Sequence, residues 1–265
     1  MNCENVKKQI VSAIKDFTDI AVVGLSGGAD STLVATLCRE ALGADNVYGV
    51  GMPCCPIDKE TFNNRSKLLA NKLGIEYEES SISSPVDAAI EELGFEEDAF
   101  PLIVGNMKSR MRMIYLYAIC NYLSEVTKKR VRVIGTGNLS EDFIGYDTKG
   151  GDALADFFPI GQLYKSEVYQ LLDYFVEQEV LTEDLIDRVP SAGLWEGQTD
   201  EAELGYSYNE MQPAVQFCID NYNIMEALIQ SNSEQLTDII KFVWKRHIAN
   251  KHKHEAPKVV ELTKL

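Results

Sequence analysis

The chain is expected to be an α/β protein: a doubly wound parallel sheet flanked by helices, closed by a helical C-terminal segment. Three observations predict this. Short apolar, β-branched runs at 20–24, 46–52, 75–80 and 131–135 have the length and composition of buried strands. Segments with helical periodicity separate them, and that alternation builds parallel βαβ units. The first run leads directly into Ser26-Gly27-Gly28-Ala29-Asp30-Ser31. A glycine turn between a strand and a helix lies where such a sheet places its ligand.

Each element follows in order. Val6, Ile10, Ala13, Ile14 and Phe17 share one helical face, so the chain opens with an amphipathic helix. After the first strand, Gly24 to Ser31 forms a turn whose glycines allow close backbone approach to a phosphate chain. Thr32 to Cys38 starts the next helix, and its N-terminus points free N–H groups at an anion. Ser26 and Ser31 add hydroxyl donors. Asp30 would repel a bound phosphate unless a cation lay between them, so it reads as a Mg²⁺ ligand. No lysine follows the turn, so it is not a Walker A loop; a glycine hairpin or a simple helix cap is the plainer alternative.

Pro53 closes the second strand, and a helix over 59–73 stops at Gly74. From Glu76 to Asp98 there are nine acids and no lysine or arginine, which reads as a solvated helix face and loop. A long helix covers 105–126. On it Arg110 and Arg112 lie about 200° apart and face different surroundings; one can serve a substrate and the other a partner chain, and two solvated arginines fit the residues equally. The strand at 131–135 ends in Thr136-Gly137-Asn138-Leu139-Ser140-Glu141. Thr136 can reach a ligand at the strand end, and Glu141 can supply a second metal carboxylate, or simply favour a helix start.

The stretch 146–156 is too glycine-rich for a helix. Lys165 stands beside the first turn of a helix over 166–176, a poor place for a cation unless an anion holds it there. A short helix over 182–188 precedes an irregular loop over 189–201 that contains Trp195 and Thr199, long enough to be a functional lid. Helices over 208–220 and 233–251 end the chain. The histidines His247, His252 and His254 all fall near its end, among Lys251 and Lys253, without zinc-site spacing. They suit a solvated basic tail, or a flap over an anionic ligand.

The 265 residues carry a formal net charge of −16 and are 45% hydrophobic. One compact domain over 1–265 is expected, with 233–265 as helix and closing tail. The acidic balance argues against a long nucleic-acid surface. It leaves a nucleotide site open, because close ion pairs outweigh charges screened beyond about 8 Å. No run is long enough to cross a bilayer, no signal peptide is evident, and the six cysteines lack CxxC spacing. A cytoplasmic protein with reduced thiols is expected.

Ser-Gly-Gly-x-Asp-Ser after a strand resembles the pyrophosphate loop of the N-type ATP pyrophosphatases, whose fold is adenine nucleotide α-hydrolase-like. The further segments at Asn106/Arg110/Arg112, 135–141, 148–156, 159–165, 190–201 and His252-Lys253 together resemble the ammonia-dependent NAD synthetases. The resemblance implies that Gly24, Leu25, Ser26, Gly27, Gly28, Ala29, Asp30, Ser31, Thr136, Lys165 and Thr199 bind ATP. It implies Mg²⁺ on Asp30 and Glu141. Arg110, Arg112, Lys149, Asp156, His252 and Lys253 would bind nicotinic acid adenine dinucleotide. Asp152 would receive ammonia, and Asp152 and Lys165 would be catalytic. A homodimer with substrate sites at its interface is implied, the long helix lying there. The nicotinate carboxylate would attack the α-phosphate of ATP, and ammonia would displace AMP. Free ammonia is the expected nitrogen source, since no glutaminase segment is evident.

Three positions depart from the family pattern. Gly51-Met52-Pro53-Cys54-Cys55 lacks the family's adenine-contacting arginine; Lys149-Gly150-Gly151-Asp152 replaces Lys-Tyr-Gly-Asp; His252-Lys253-His254 replaces His-Lys-Arg. Two rivals stand beside this reading: another adenylating enzyme of the same loop group, such as a GMP synthetase-like ligase, and a non-catalytic nucleotide-binding protein.

Overall fold

A computed structural model describes residues 1–54, 56–94, 100–187 and 199–262, with the helical backbone alone over 56–64. Strands β1 (Ile20–Gly24), β2 (Val47–Gly51), β3 (Glu76–Glu79) and β4 (Val131–Ile134) form one parallel sheet in the order β3-β2-β1-β4. Phe157 makes a parallel bridge to Ile134, so the chain returns along the outer edge of β4.

Both faces of the sheet are covered, which is why its strands are apolar throughout. Ala21 and Val23 pack toward α1 (Cys3–Phe17), α2 (Ala29–Leu42) and α7 (Lys165–Glu177). Ile20 and Val22 face α4 (Ser83–Leu93) and α5 (Pro101–Thr127). The period-two alternation of β1 therefore divides its side chains between two cores. Leu33, Leu37, Leu171 and Leu172 are fully buried in the first, each contributing about 1.5–3 kcal/mol. The helix α3 (Pro56–Leu73) ends at Gly74 in the left-handed conformation, as expected.

A third core gathers α6 (Leu139–Ile144), α10 (Tyr208–Asp220), α11 (Met225–Gln230) and α12 (Asp238–Asn250) around Met211, Val215, Val243 and Trp244. It sits beyond the carboxyl ends of β1 and β4 and supplies the second wall of the site. Among the described residues no helix is long and apolar enough to cross a membrane. The acids of β3 and α4 are mostly exposed, the solvated face read from the charges.

Several boundaries differ. The long helix starts at Pro101, because proline preforms the first helical turn. Lys165 opens α7 itself, where the Glu167 carboxylate accepts from Tyr164 N–H at 2.9 Å. Asp200 and Glu201, placed in the loop, belong to helix α9 (Asp200–Leu204), capped by Thr199. The short helices α8 (Glu183–Ile186) and α11 bracket this region, the second unforeseen. The last helix starts at Asp238, where the Thr237 hydroxyl accepts from Ile240 N–H. Trp195 and most of the expected lid lie outside the described residues.

Candidate active site

A cleft of about 660 Å³ opens where β1 and β4 diverge, at the carboxyl ends of the strands. Its floor is the first turn. Gly27 takes a φ of +69°, reversing the chain so that α2 can begin at Ala29. Gly28 is the N-cap and offers no side-chain cap, so the first N–H groups of α2 are not closed off from within. The Ser31 hydroxyl ties the turn together: it accepts from Ser26 N–H at 3.3 Å and donates to Gly28 O at 3.1 Å. Gly24, Leu25, Ser26, Gly28, Ala29 and Asp30 line the cleft. Gly27 and Ser31 shape the turn from behind.

Lys165 is the electrostatic centre. Its ammonium donates to Asp30 Oδ2 at 2.5 Å and Glu141 Oε1 at 2.9 Å, and its side chain is 6% exposed. Burial disfavours that charge, but the pull of the two carboxylates outweighs it and the lysine pKa rises. Burial pushes the Glu141 carboxyl upward, opposed by Lys165 and reinforced by Asp30. Asn138, wholly buried, holds both acids in place. Its amide donates to Asp30 Oδ1 at 2.9 Å, and its carbonyl caps α6 by accepting from Glu141 N–H. The Lys165 ammonium also lies 5.4 Å from the Tyr208 ring, whose hydroxyl donates to buried Asp200 at 2.9 Å.

Asp30 and Glu141 offer the hard oxygen donors that Mg²⁺ takes alongside substrate phosphates, so their chemistry fits the ion. The expected position between them, however, holds the lysine ammonium. Lys165 engages one oxygen of each carboxylate, so Asp30 and Glu141 would hold the ion through their remaining oxygen donors.

Asp152 stands in the opposite wall. Its Oδ1 accepts from the Ser109 hydroxyl at 2.7 Å and from Thr148 N–H at 2.8 Å. The residue is exposed at the cleft, and its carboxylate is tied to the wall through Oδ1. Desolvation raises its pKa, against the hydrogen bonds from Ser109 and Thr148. Gly151 permits this wall: a Cβ there would meet Ser109 Oγ at 2.2 Å. Thr136, Arg112 and Lys253 also line the cleft. Arg112 Nε donates to Met52 O at 3.2 Å, and Met52 and Pro53 line the cleft.

Other expected ligands are not brought to this cleft. Thr199 spends its hydroxyl on Ala202 N–H as the α9 cap; its neighbour Asp200 lines the cleft instead. Asp156 is an edge clamp: it accepts from Val133 N–H at 2.8 Å and from the Tyr117 hydroxyl. Arg110 is exposed and donates to Lys149 O, and Lys149 in turn reaches His252 O at 2.6 Å. His252 is exposed. Asn138, Ser109, Asp200 and Tyr208 were not singled out as site residues. Only Asn138 left a signal, a helix-capping residue three before an acid.

Comparison with known proteins gives a consistent picture. The NAD synthase family model matches residues 2–257. An NH(3)-dependent NAD(+) synthetase of Methanosarcina mazei is 39% identical, over 99% of this chain and all of that protein. A solved NH3-dependent NAD synthetase from Campylobacter jejuni superposes with a TM-score of 0.74 at 30% identity, covering 98% of this chain and 100% of that one. A structure described as NMN synthetase from Francisella tularensis gives a TM-score of 0.77 at 28% identity, covering 99% and 100%.

Proposed function

The chain belongs to the NAD synthase family, ligases that amidate deamido-NAD to NAD with ATP, and from that premise we propose how its own residues divide the work. The observation that carries the proposal is Lys165 held between Asp30 and Glu141, beneath the open N-terminus of α2. The turn Gly24–Ser31 cradles the β- and γ-phosphates through backbone N–H groups and hydroxyls. Lys165 offsets charge on the transferring α-phosphate as the nicotinate carboxylate attacks it and diphosphate departs. Asp30 and Glu141 hold Mg²⁺, which when bound would neutralise phosphate charge. Asp152, ionised, binds ammonium and takes a proton from it, so that ammonia attacks the adenylated carboxyl and AMP leaves. Arg112 and Lys253 bind the nicotinate nucleotide in the same cleft.

We also propose a homodimer. On α5, Ile103, Met107, Arg110 and Ile114 follow at steps of four, three and four residues, with Ile103 40% and Ile114 52% exposed. That apolar stripe suits a partner helix. Arg110 lies on it, and a partner cleft would give work to the expected ligands that their own chain leaves outside. Residues 251–262, after α12, act as a tail, pinned where Lys253 donates to Gly145 O and Asp147 O. The described cysteines are free thiols, which suits a cytoplasmic setting.

The test is a coupled assay of the purified protein with ATP, Mg²⁺, the deamido dinucleotide and ammonium. NAD, AMP and diphosphate should form in equal amounts, with glutamine a poor donor. ATP cleavage without NAD overturns the reading. A second reading, a mononucleotide substrate, is favoured by two observations: the Francisella structure is described as an NMN synthetase, and Arg110, Lys149, Asp156 and His252 do not line the cleft. Nicotinic acid mononucleotide in the same assay decides it, the preferred substrate having the higher kcat/KM.

A further inference from the structure

A second group of ligating side chains lies at the edge of the cleft, which Asp147 lines, and the mechanism proposed above assigns it no role. One ligand atom each of Asp142, Asp147 and His254 falls within 4.8 Å of the other two. The Asp147 side chain is only 6% exposed, and both its oxygens are buried without a hydrogen-bond partner. Its cationic neighbours leave it so. Lys253 Nζ stands 3.6 Å from Oδ1 but spends its donors on Gly145 O and Asp147 O, each at 2.7 Å. His254 Nε2 stands 2.5 Å from Oδ2, an ion pair whenever the imidazole is protonated, and Asp147 raises the imidazole pKa. With neutral imidazole, the two carboxylates and the ammonium sum to a charge of −1. Either a proton on His254 or a bound cation compensates it.

We propose that Asp142, Asp147 and His254 bind a divalent transition-metal cation of the Zn²⁺ type, distinct from the ion on Asp30 and Glu141, and that it fastens the C-terminal tail to the α6 region. The donor set supports the class. Imidazole with two carboxylates suits Zn²⁺, whereas Mg²⁺ takes oxygen donors. Metal–ligand bonds of about 2.0–2.1 Å in a tetrahedron put neighbouring ligand atoms roughly 3.4 Å apart. The three atoms already lie within 4.8 Å of one another, and the His254 side chain, 34% exposed, has room to adjust. Its place in the chain gives the site a purpose: His252 and Lys253 immediately precede it.

The test is calorimetric titration of Zn²⁺ into the full untagged chain, first stripped with EDTA and then given excess Mg²⁺ to occupy the Asp30–Glu141 pair. One equivalent should bind the parent chain. His254→Arg retains a cation for Asp147 but removes a metal donor, and it should weaken binding by more than the 10–100-fold typical of losing an outer-sphere partner. Asp147→Asn should do the same, with folding checked by circular dichroism; if Asp147→Asn fails to fold, His254→Arg on the exposed tail decides alone. Susceptibility of the tail to protease after Lys258 should fall with Zn²⁺ in the parent and stay unchanged in His254→Arg. No Zn²⁺ binding by the parent, or equal binding by His254→Arg, overturns the site and leaves a protonated ion pair.

Discussion

Lys165 opens α7, where the helix dipole disfavours a cation, and two carboxylates hold it there. The arrangement keeps a buried positive charge at the cleft, which the proposed mechanism directs at the transferring phosphate. Asp30 is the acid whose removal separates the roles. In Asp30→Ala, the fold should persist, because Asn138 and Glu141 still hold α6 and Lys165 keeps one carboxylate. Diphosphate release should fall by at least about 10³-fold, near 4 kcal/mol of transition-state stabilisation. Activity close to normal at saturating Mg²⁺ would remove Asp30 from the metal site. Asp152 makes a separate prediction. Its pKa is raised, so the ionised form needed as a base is lost as pH falls through a value above the ordinary carboxylate range near 4. With ammonium saturating, the acid limb of kcat should therefore lie at higher pH than an aspartate of ordinary pKa would give. The sign for stability is opposite: the folded state holds that proton more tightly, so protonation of Asp152 favours folding as pH drops. Asp152→Asn should keep or slightly raise the melting temperature at pH 7 while losing amidation, a combination that loss of packing would not produce.

The walls of the cleft depend on how closely elements approach, and Gly151 is the sharpest example. A methyl there would overlap Ser109 Oγ, the donor that orients Asp152. Gly151→Ala should cost about 1–3 kcal/mol of stability and lower kcat more than KM, read by thermal melts and steady-state kinetics together. This contact also marks what a sequence can disclose. The glycine turn after β1 was readable because strand, turn and helix are local, and Lys165 was readable as a lysine in the wrong place for a dipole. The partners of Lys165 lie 135 and 24 residues away, and Ser109 lies 43 from Asp152. Periodicity carries no information about such distances. Thr199 is ambiguous for a related reason: a threonine before two acids is equally a ligand and a helix cap, and here its hydroxyl accepts from Ala202 N–H as the cap of α9. Asp156 likewise had a backbone N–H to satisfy.

Among the described residues, α5 carries an apolar stripe that the rest of the described chain does not cover. The helix α5 presents Ile103, Ile114 and, on an adjoining side, Tyr122 and Val126, all at least 40% exposed. Its other face packs on the sheet through Tyr115, Leu116 and Ile119. A helix apolar on both sides is expected to be buried on both. Pairing two copies along this stripe would cover it and carry Arg110, together with the Lys149–His252 strap it holds, toward the neighbouring cleft. Ile114→Glu places a charge at the middle of the stripe without touching the chain's own core. It should cost the dimer about 2 kcal/mol or more, roughly 30-fold in its dissociation constant. Sedimentation velocity at micromolar concentration should then show a monomer with an unchanged circular dichroism spectrum. Because the cleft keeps Lys165, Asp30 and Asp152, the monomer should still bind ATP, while KM for the nicotinate dinucleotide rises. A variant that sediments as the parent does would remove α5 from the interface, and a monomer with the parent's KM would confine nucleotide binding to residues of one chain.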